Sequence, residues 1–409
     1  MPGSEVDERA AFREALRKEA RRPAQALGLE VVHLMVENMA EDARLLPPVQ
    51  NAMRDLEPAL LRLALEDPRF FSDRTHPARQ LLEQVTQRSL AWASVEAEGF
   101  PEFFDGFQQA VEALLETRAA GTQSFDIALQ TLQEAWDGTH PRASRSREKA
   151  VRALLRAEQR NLLAERIASQ IQERRDAADA APEAIAFLTG PWAQVLAQAR
   201  LTDSSAVEDP GGYGWVVQAV LWSVQPSLIG RVAGQHRQLV ERIQSGLATI
   251  DHLPAETRRW QSILAELRRA AAAAVLGSPA PASDPSPPPP AVHTWLAPLE
   301  IYDSGFVPDP ALLALETSAE ATPLPPIELQ PGAWVDLDNG EQWERWQLTW
   351  ASPHGLLFLF THASGNTRSM TRRKLQQMLA DESIRLVSAQ TVIDGALDAV
   401  ARAAWRNSV

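Results

Sequence analysis

The stretch Asp67-Pro68-Arg69-Phe70-Phe71-Ser72-Asp73-Arg74-Thr75-His76-Pro77-Ala78-Arg79 carries, in its second half, Asp73, Arg74, His76 and Arg79 close together. An acid, an imidazole and two guanidiniums are the parts of an acid–base or anion-binding site. They are also the parts of an Asp–Arg clasp beside a helix cap. Pro68 behind them and Pro77 ahead of them favour the clasp, with Thr75 as the cap. Arg152, Arg156 and Arg160 repeat at i, i+4 and i+8, the spacing of a helix face that could grip an acidic partner. Glu148, Glu158 and Glu165 accompany them, so a solvated, charge-balanced face is the expectation.

Other reactive patterns are missing from the sequence. The eight histidines are scattered, with no HExxH or close ligand pair, and there is no GxSxG, P-loop or paired-carboxylate motif. Gly211, Gly212 and Gly214 do not make a GxGxxG. The chain has no cysteine, which excludes disulfides, thiolate zinc sites and cysteine nucleophiles. We therefore expect no catalytic, cofactor or metal residues and no enzyme. Recognition chemistry is better represented. Trp334, Trp343, Trp346 and Trp350 are more tryptophan than a small β-unit readily buries, and Trp343 beside Arg345 has the composition of an interface. Arg368, Arg372 and Arg373, with Lys374, form a local basic knot. Trp295 and Tyr302 lie in a less polar island within an acidic, proline-rich stretch.

The elements that must carry these groups are mostly helices. Val49, Met53, Leu56, Leu60 and Leu63 predict one helix before the central stretch, and Ala78, Leu82, Val85, Ser89 and Trp92 another after it. One or both of Phe70 and Phe71 should be buried between them. Further helices are expected over 27–41, from Pro101, around Phe125–Trp136, over 144–178, 184–201, 227–251 and 254–276. Trp215–Trp222 is apolar nearly all round and should be central to its core. From Gly332 the hydrophobic period changes to two. Strands are expected near 334–337, 343–350, 356–361, 367–370 and 384–387, with a short helix capped by Thr371 and a closing helix from Val392. Alternation puts Trp346, Leu348 and Trp350 on the core face and Trp343 with Arg345 outside.

The run FFSDRTHPARQLLEQVTQRSLAW, followed by GPWAQVLAQARL, VVQAVLWSVQP, GAWVDL, WERWQLTWASPHGLLFLFT and VIDGALDAV, resembles a bacterial domain-of-unknown-function family, number sixteen-thirty-one. The resemblance runs from about Leu27 to the C-terminus and implies a short form, corresponding to the C-terminal part of longer members. Some members carry the label thymidine phosphorylase, a nucleoside phosphorylase activity, but this chain has no phosphate-cradling Gly-rich loop. The resemblance implies no catalytic residues. The C-terminal unit is also similar in shape to PilZ domains, which bind cyclic dinucleotides. The RxxxR and (D/N)xSxxG motifs of those domains are missing here.

Charge divides the chain. The net charge of −13 leaves −7 on residues 277–331, which contain no Lys or Arg, while 332–409 are neutral. No concentrated basic surface for nucleic acid is present. The charged N-terminus has no apolar signal core, and no apolar run is long enough to span a bilayer. The sequence thus predicts a mainly α cytoplasmic protein: a multi-helix body over 1–276, an acidic Pro-rich linker over 277–331 with an island at 293–303, and a small antiparallel β-barrel with a closing helix over 332–409. The island either docks a partner or folds back on the chain. The expected role is a non-enzymatic scaffold or regulatory protein whose barrel recognises a protein partner. A degenerate cyclic-dinucleotide receptor and a metal-dependent hydrolase are the alternatives.

Overall fold

The structure is a computed structural model that describes residues 2–20, 22–71, 73–116, 121–139, 141–203, 209–277, 295–306, 326–327, 329–340, 342–388 and 392–407. The linker expected over 277–331 lies mostly outside these residues. So does the side chain of Phe71, leaving Phe70 as the aromatic seen buried in the connection.

The first helical layer comprises α1 (Pro2–Glu19), α2 (Pro23–Ala40), α3 (Pro47–Asp55), α4 (Glu57–Glu66), α5 (Pro77–Ser89), α6 (Phe100–Glu116) and α7 (Thr122–Thr139). Where one helix was expected from Val49 to Leu63 there are two. Pro58, in the first turn of α4, cannot donate to the preceding turn and splits the apolar stripe at Leu56. The stripe itself still points inward: Val49, Met53, Leu56, Leu60 and Leu63 are all buried in one core with Leu82, Val85 and Phe107.

The next helix, α8 (Pro141–Gln172), is about 48 Å long and serves two cores. Its C-terminal half contributes Ala164, Ile167 and Ile171 to a second helical core. That core also holds α9 (Pro182–Thr189), α10 (Pro191–Thr202), α11 (Gly214–Ser223), α12 (His236–Ala248) and α13 (Pro254–Val275). As the apolar run at 215–222 predicts, α11 is buried on most sides, through Val216, Val217, Ala219, Val220 and Leu221. The N-terminal half of α8 turns Ala150, Leu154 and Ala157 toward the C-terminal unit.

That unit is a five-stranded antiparallel sheet of β1 (Trp334–Asp338), β2 (Trp343–Ala351), β3 (Leu357–His362), β4 (Thr367–Thr371) and β5 (Ile384–Ser388), in the order β4-β3-β2-β1-β5. The mainly α body with a small antiparallel β-unit is as expected. Among the described residues the sheet is open, with β4 and β5 as its edges. One face buries Val335, Leu337, Trp346, Leu348, Phe358 and Phe360 under a helix, α15 below, that contributes Leu375 and Met378. The opposite face lays Leu357 and Leu359 against α8. The short helix α14 (Pro298–Ser304) sits at this joint. The last two helices are α15 (Arg372–Ala380), capped by Thr371, and α16 (Val392–Asn407). The last leaves the sheet: Val392, Ile393, Ala396 and Val400 enter the first helical core, as does Trp334 of β1.

One expectation about the sheet's core face changes. Trp350 does not share the core face of Trp346 and Leu348. A bulge between Leu348 and Trp350 inserts Thr349, pairs Trp350 with Leu359, and turns its ring toward α8. Ala351 takes the place that strict alternation gave to Trp350.

Candidate interaction surface

The charged stretch before α5 is a seam. A 3-10 turn over Pro68–Phe71 follows α4, and Asp67 accepts from the Arg69 guanidinium at 2.8 Å, which holds its carboxyl well below the usual carboxylate range. Asp73 accepts from the Thr75 hydroxyl and backbone N–H, so Thr75 is engaged in the turn and does not cap the helix. His76 caps it: Nδ1 accepts from the Ala78 N–H at 3.2 Å, while Nε2 lies 3.3 Å from the Thr122 hydroxyl. The ring is 4% exposed, and desolvation pushes its pKa down. Arg74 and Arg79 both reach Asp394 on α16, at 3.3 and 2.5 Å. Arg74 is exposed whereas Arg79 is buried, so these groups fasten α5 to α16 and do not face a cleft.

The arginine stripe of α8 divides. Arg152 and Arg156 are exposed, in keeping with a solvated face, but Arg160 is 3% exposed and Glu158 2%. Arg160 holds both carboxylate oxygens of Glu300 at 2.7 Å and lies 4.6 Å from the centre of the Trp295 ring. The acidic partner this spacing can grip is therefore in the same chain. The island folds back: Leu296 is buried with Leu154 and Leu359, and Trp295 is half-buried beside the second helical core. Tyr302 stays 84% exposed on its outer side.

On the sheet, the residues singled out from the sequence fall at two separate edges. Trp343 begins β2 opposite Asp338, with its ring 37% exposed and the Arg385 guanidinium of β5 stacked 3.8 Å from its centre. Arg345, two residues along, is not open as expected. It pairs with Asp336 at 2.8 Å and donates to the Leu90 carbonyl at the end of α5, fixing the sheet on the helical body. Across the sheet, Arg368 is half-buried on β4 opposite Phe360. Arg372 is exposed and donates to the Gly355 carbonyl at 2.7 Å; Arg373 is half-buried in the first turn of α15. The basic knot is thus dispersed around the β4 edge, the same edge that α14, carrying Tyr302, approaches, and does not adjoin Trp343. Arg385 was missed because its distance of 42 positions from Trp343 carries no local signal; only the β1–β5 pairing brings it across.

A second aromatic surface was also missed. Asn38 of α2 and Ala399, Ala401, Arg402, Trp405 and Arg406 of α16 line an open groove of about 770 Å³, with Trp405 79% exposed. Its signal was a tryptophan next to an arginine at the end of an amphipathic helix. Elsewhere, Arg13, His33 and Glu57 form a partly buried cluster between α1, α2 and α4. Among the described residues no group of three His, Asp or Glu is placed to hold a metal ion, and no helix is long and apolar enough to cross a membrane.

Three family models match the chain, all from one family of proteins of unknown function, DUF1631. Its second domain matches residues 4–121, its third domain 153–267, and its C-terminal tudor domain 327–387. No curated protein and no solved structure matches. The first two matches fall on the two helical cores and the last on the sheet, which is matched as a tudor domain where the sequence suggested the PilZ type. With three successive domains matched in order over most of its length, the chain belongs to the DUF1631 family.

Proposed function

We propose that the protein is a non-enzymatic scaffold whose C-terminal sheet recognises a protein partner. The observation that carries this reading is the Trp343–Arg385 stack. Trp343, 37% exposed, is stacked by the Arg385 guanidinium, beside the Asp336–Arg345 pair that anchors the sheet. An aromatic stacked in this way has less side-chain entropy to lose on binding, and tryptophan and arginine are both enriched at interface hot spots. The family's tudor match to this sheet supports a recognition role over a catalytic one. No observation favours the cyclic-dinucleotide or hydrolase reading, and neither is taken further.

The test places a photo-activatable phenylalanine at the exposed Gln342, beside Trp343, and, as a control, at the exposed Ile127 of α7, in the native cell. A discrete cross-linked protein is expected from position 342 alone, and it should be competed by wild-type chain but not by Trp343→Ala. Identical products from both positions, or none from 342, would reject the sheet as the recognition surface.

A further inference from the structure

The island is held as a peptide is held by a receptor. Asn161 of α8 donates from its side chain to the Trp295 carbonyl at 2.9 Å and accepts the Trp295 N–H at 3.2 Å, so both backbone groups of that residue are read. Gln194 of α10 donates to the same Asn161 oxygen at 2.9 Å and steadies it. Arg160 adds its fork to Glu300 and its face to the Trp295 ring, as described above. Glu300 in turn accepts the Ala297 N–H at 2.8 Å, which closes the first turn of α14. At the far end Ser304 meets Ser369 of β4 at 3.1 Å, and Phe306 makes a parallel bridge to Ser369. Gly305 between them has φ of 62°, and a Cβ there would stand 2.1 Å from the Thr367 carbonyl oxygen.

These contacts amount to a sequence code. Trp295, Leu296, Glu300, Ser304, Gly305 and Phe306 each meet a dedicated partner, while Leu299 and Tyr302 point outward, 63% and 84% exposed. The receptor side belongs to α8, α10 and β4. It contains three polar groups that are more than nine-tenths buried: Arg160 and Asn161, which bond the segment directly, and Gln194, which bonds both of them.

We propose that the α8–α10–β4 surface is a peptide-recognition site whose resident ligand is Trp295–Phe306, and that it takes the same segment from a second copy of this chain. The connections on either side, 278–294 and 307–325, reach at most about 60 and 70 Å, enough for the segment to cross to a neighbouring molecule. In the wild-type chain the tether gives the resident segment an effective concentration on the order of millimolar. The exchange is therefore suppressed until the resident contact is weakened.

The test uses the full-length chain and a fluorescein-labelled synthetic peptide of residues 293–307. In Glu300→Arg the tethered segment is repelled by Arg160, and the free peptide should bind saturably, by fluorescence anisotropy, at least about tenfold more tightly than to wild type, whose site is filled. Adding Arg160→Ala to that chain should abolish the gain, and a peptide carrying Glu300→Lys should not bind. Circular dichroism monitors the helices; if Glu300→Arg loses them, Glu300→Gln, which removes the charge and keeps the shape, takes its place. Mixing full-length Glu300→Arg with Arg160→Glu should then give a dimer by sedimentation that neither forms alone, because each site meets a matching segment only in the other copy. A folded Glu300 variant that ignores the peptide, or a mixture that stays monomeric, would overturn the proposal.

Discussion

His76 shows how one residue's protonation can bear on the fold. Its Nδ1 must be unprotonated to accept the Ala78 N–H, and its buried ring is surrounded by Thr122, Asp67 and Phe70. Burial lowers its folded pKa below the ordinary value near 6.5, despite the opposing pull of Asp67 and Asp73. The unfolded chain therefore binds the proton more readily than the folded one, and stability rises with pH across that window. It is fully present above about pH 6.5 and is lost as the pH falls from there toward the lowered folded value. His252, also depressed by burial, adds to the same slope. We expect the melting temperature to fall between about pH 7.5 and 5.5, and His76→Asn, which keeps a capping oxygen and does not titrate, to flatten part of that fall. Equal slopes in both proteins would remove His76 from the account. Phe70→Ala should cost about 3–5 kcal/mol in denaturant unfolding, since the ring is fully enclosed, whereas exposed Arg74→Ala should cost little. The sequence suggested a clasp of Asp73 with a neighbouring arginine beside a helix cap, whereas Asp73 bonds Thr75 and the two arginines reach across to Asp394 on α16. Nor did the sequence reveal that His76 rather than Thr75 was the cap, because choosing between neighbours depends on where Asp73 folds back to bond.

At the scale of elements, apolar spacing located most of the helices, though not α14, and period-two alternation located all five strands, because both patterns are imposed by which face meets a core. What escaped were local breaks in period. Pro58 divided α3 from α4, and the Thr349 bulge reversed Trp350; both are single-residue events that an averaged pattern passes over. The α8 stripe failed for another reason. Arg152, Arg156 and Arg160 are equivalent by spacing, and only the return of the island distinguishes the last of them. The distinction is measurable. Arg160→Ala strands Glu300, which is 12% exposed, without its cation and should cost about 3–5 kcal/mol in urea unfolding. Arg152→Ala removes an exposed i, i+4 pair with Glu148 and should cost at most about 0.5 kcal/mol. Similar losses for the two would mean that the Arg160–Glu300 pair contributes no more than a surface bridge.

For the whole molecule, the sequence suggested a body and a tethered module, whereas the described residues interlock them. The sheet reaches back through Trp334, whose indole N–H donates to Gln87, and through Arg345 to Leu90. Beyond the sheet, α16 fills part of the first helical core, and its Asp394 neutralises buried Arg79. Such return contacts have no signature in the sequence, since Val392, Ile393, Ala396 and Val400 look like any helix face and only tertiary placement says which core they enter. A protease site engineered between 307 and 325 should therefore cut the chain without separating its parts. The two fragments should elute together on native gel filtration, because parting them would expose Val392, Ile393 and Val400, each worth roughly 1.5–3 kcal/mol of burial, and break the Arg79–Asp394 pair. Ile393→Ala with Asp394→Ala should weaken the joint enough for the nicked fragments to part while the intact chain, held by its tether, still folds. If the nicked wild-type protein falls apart on dilution, the contacts of α16 are too weak to join the two halves, and the sheet behaves as a tethered module after all.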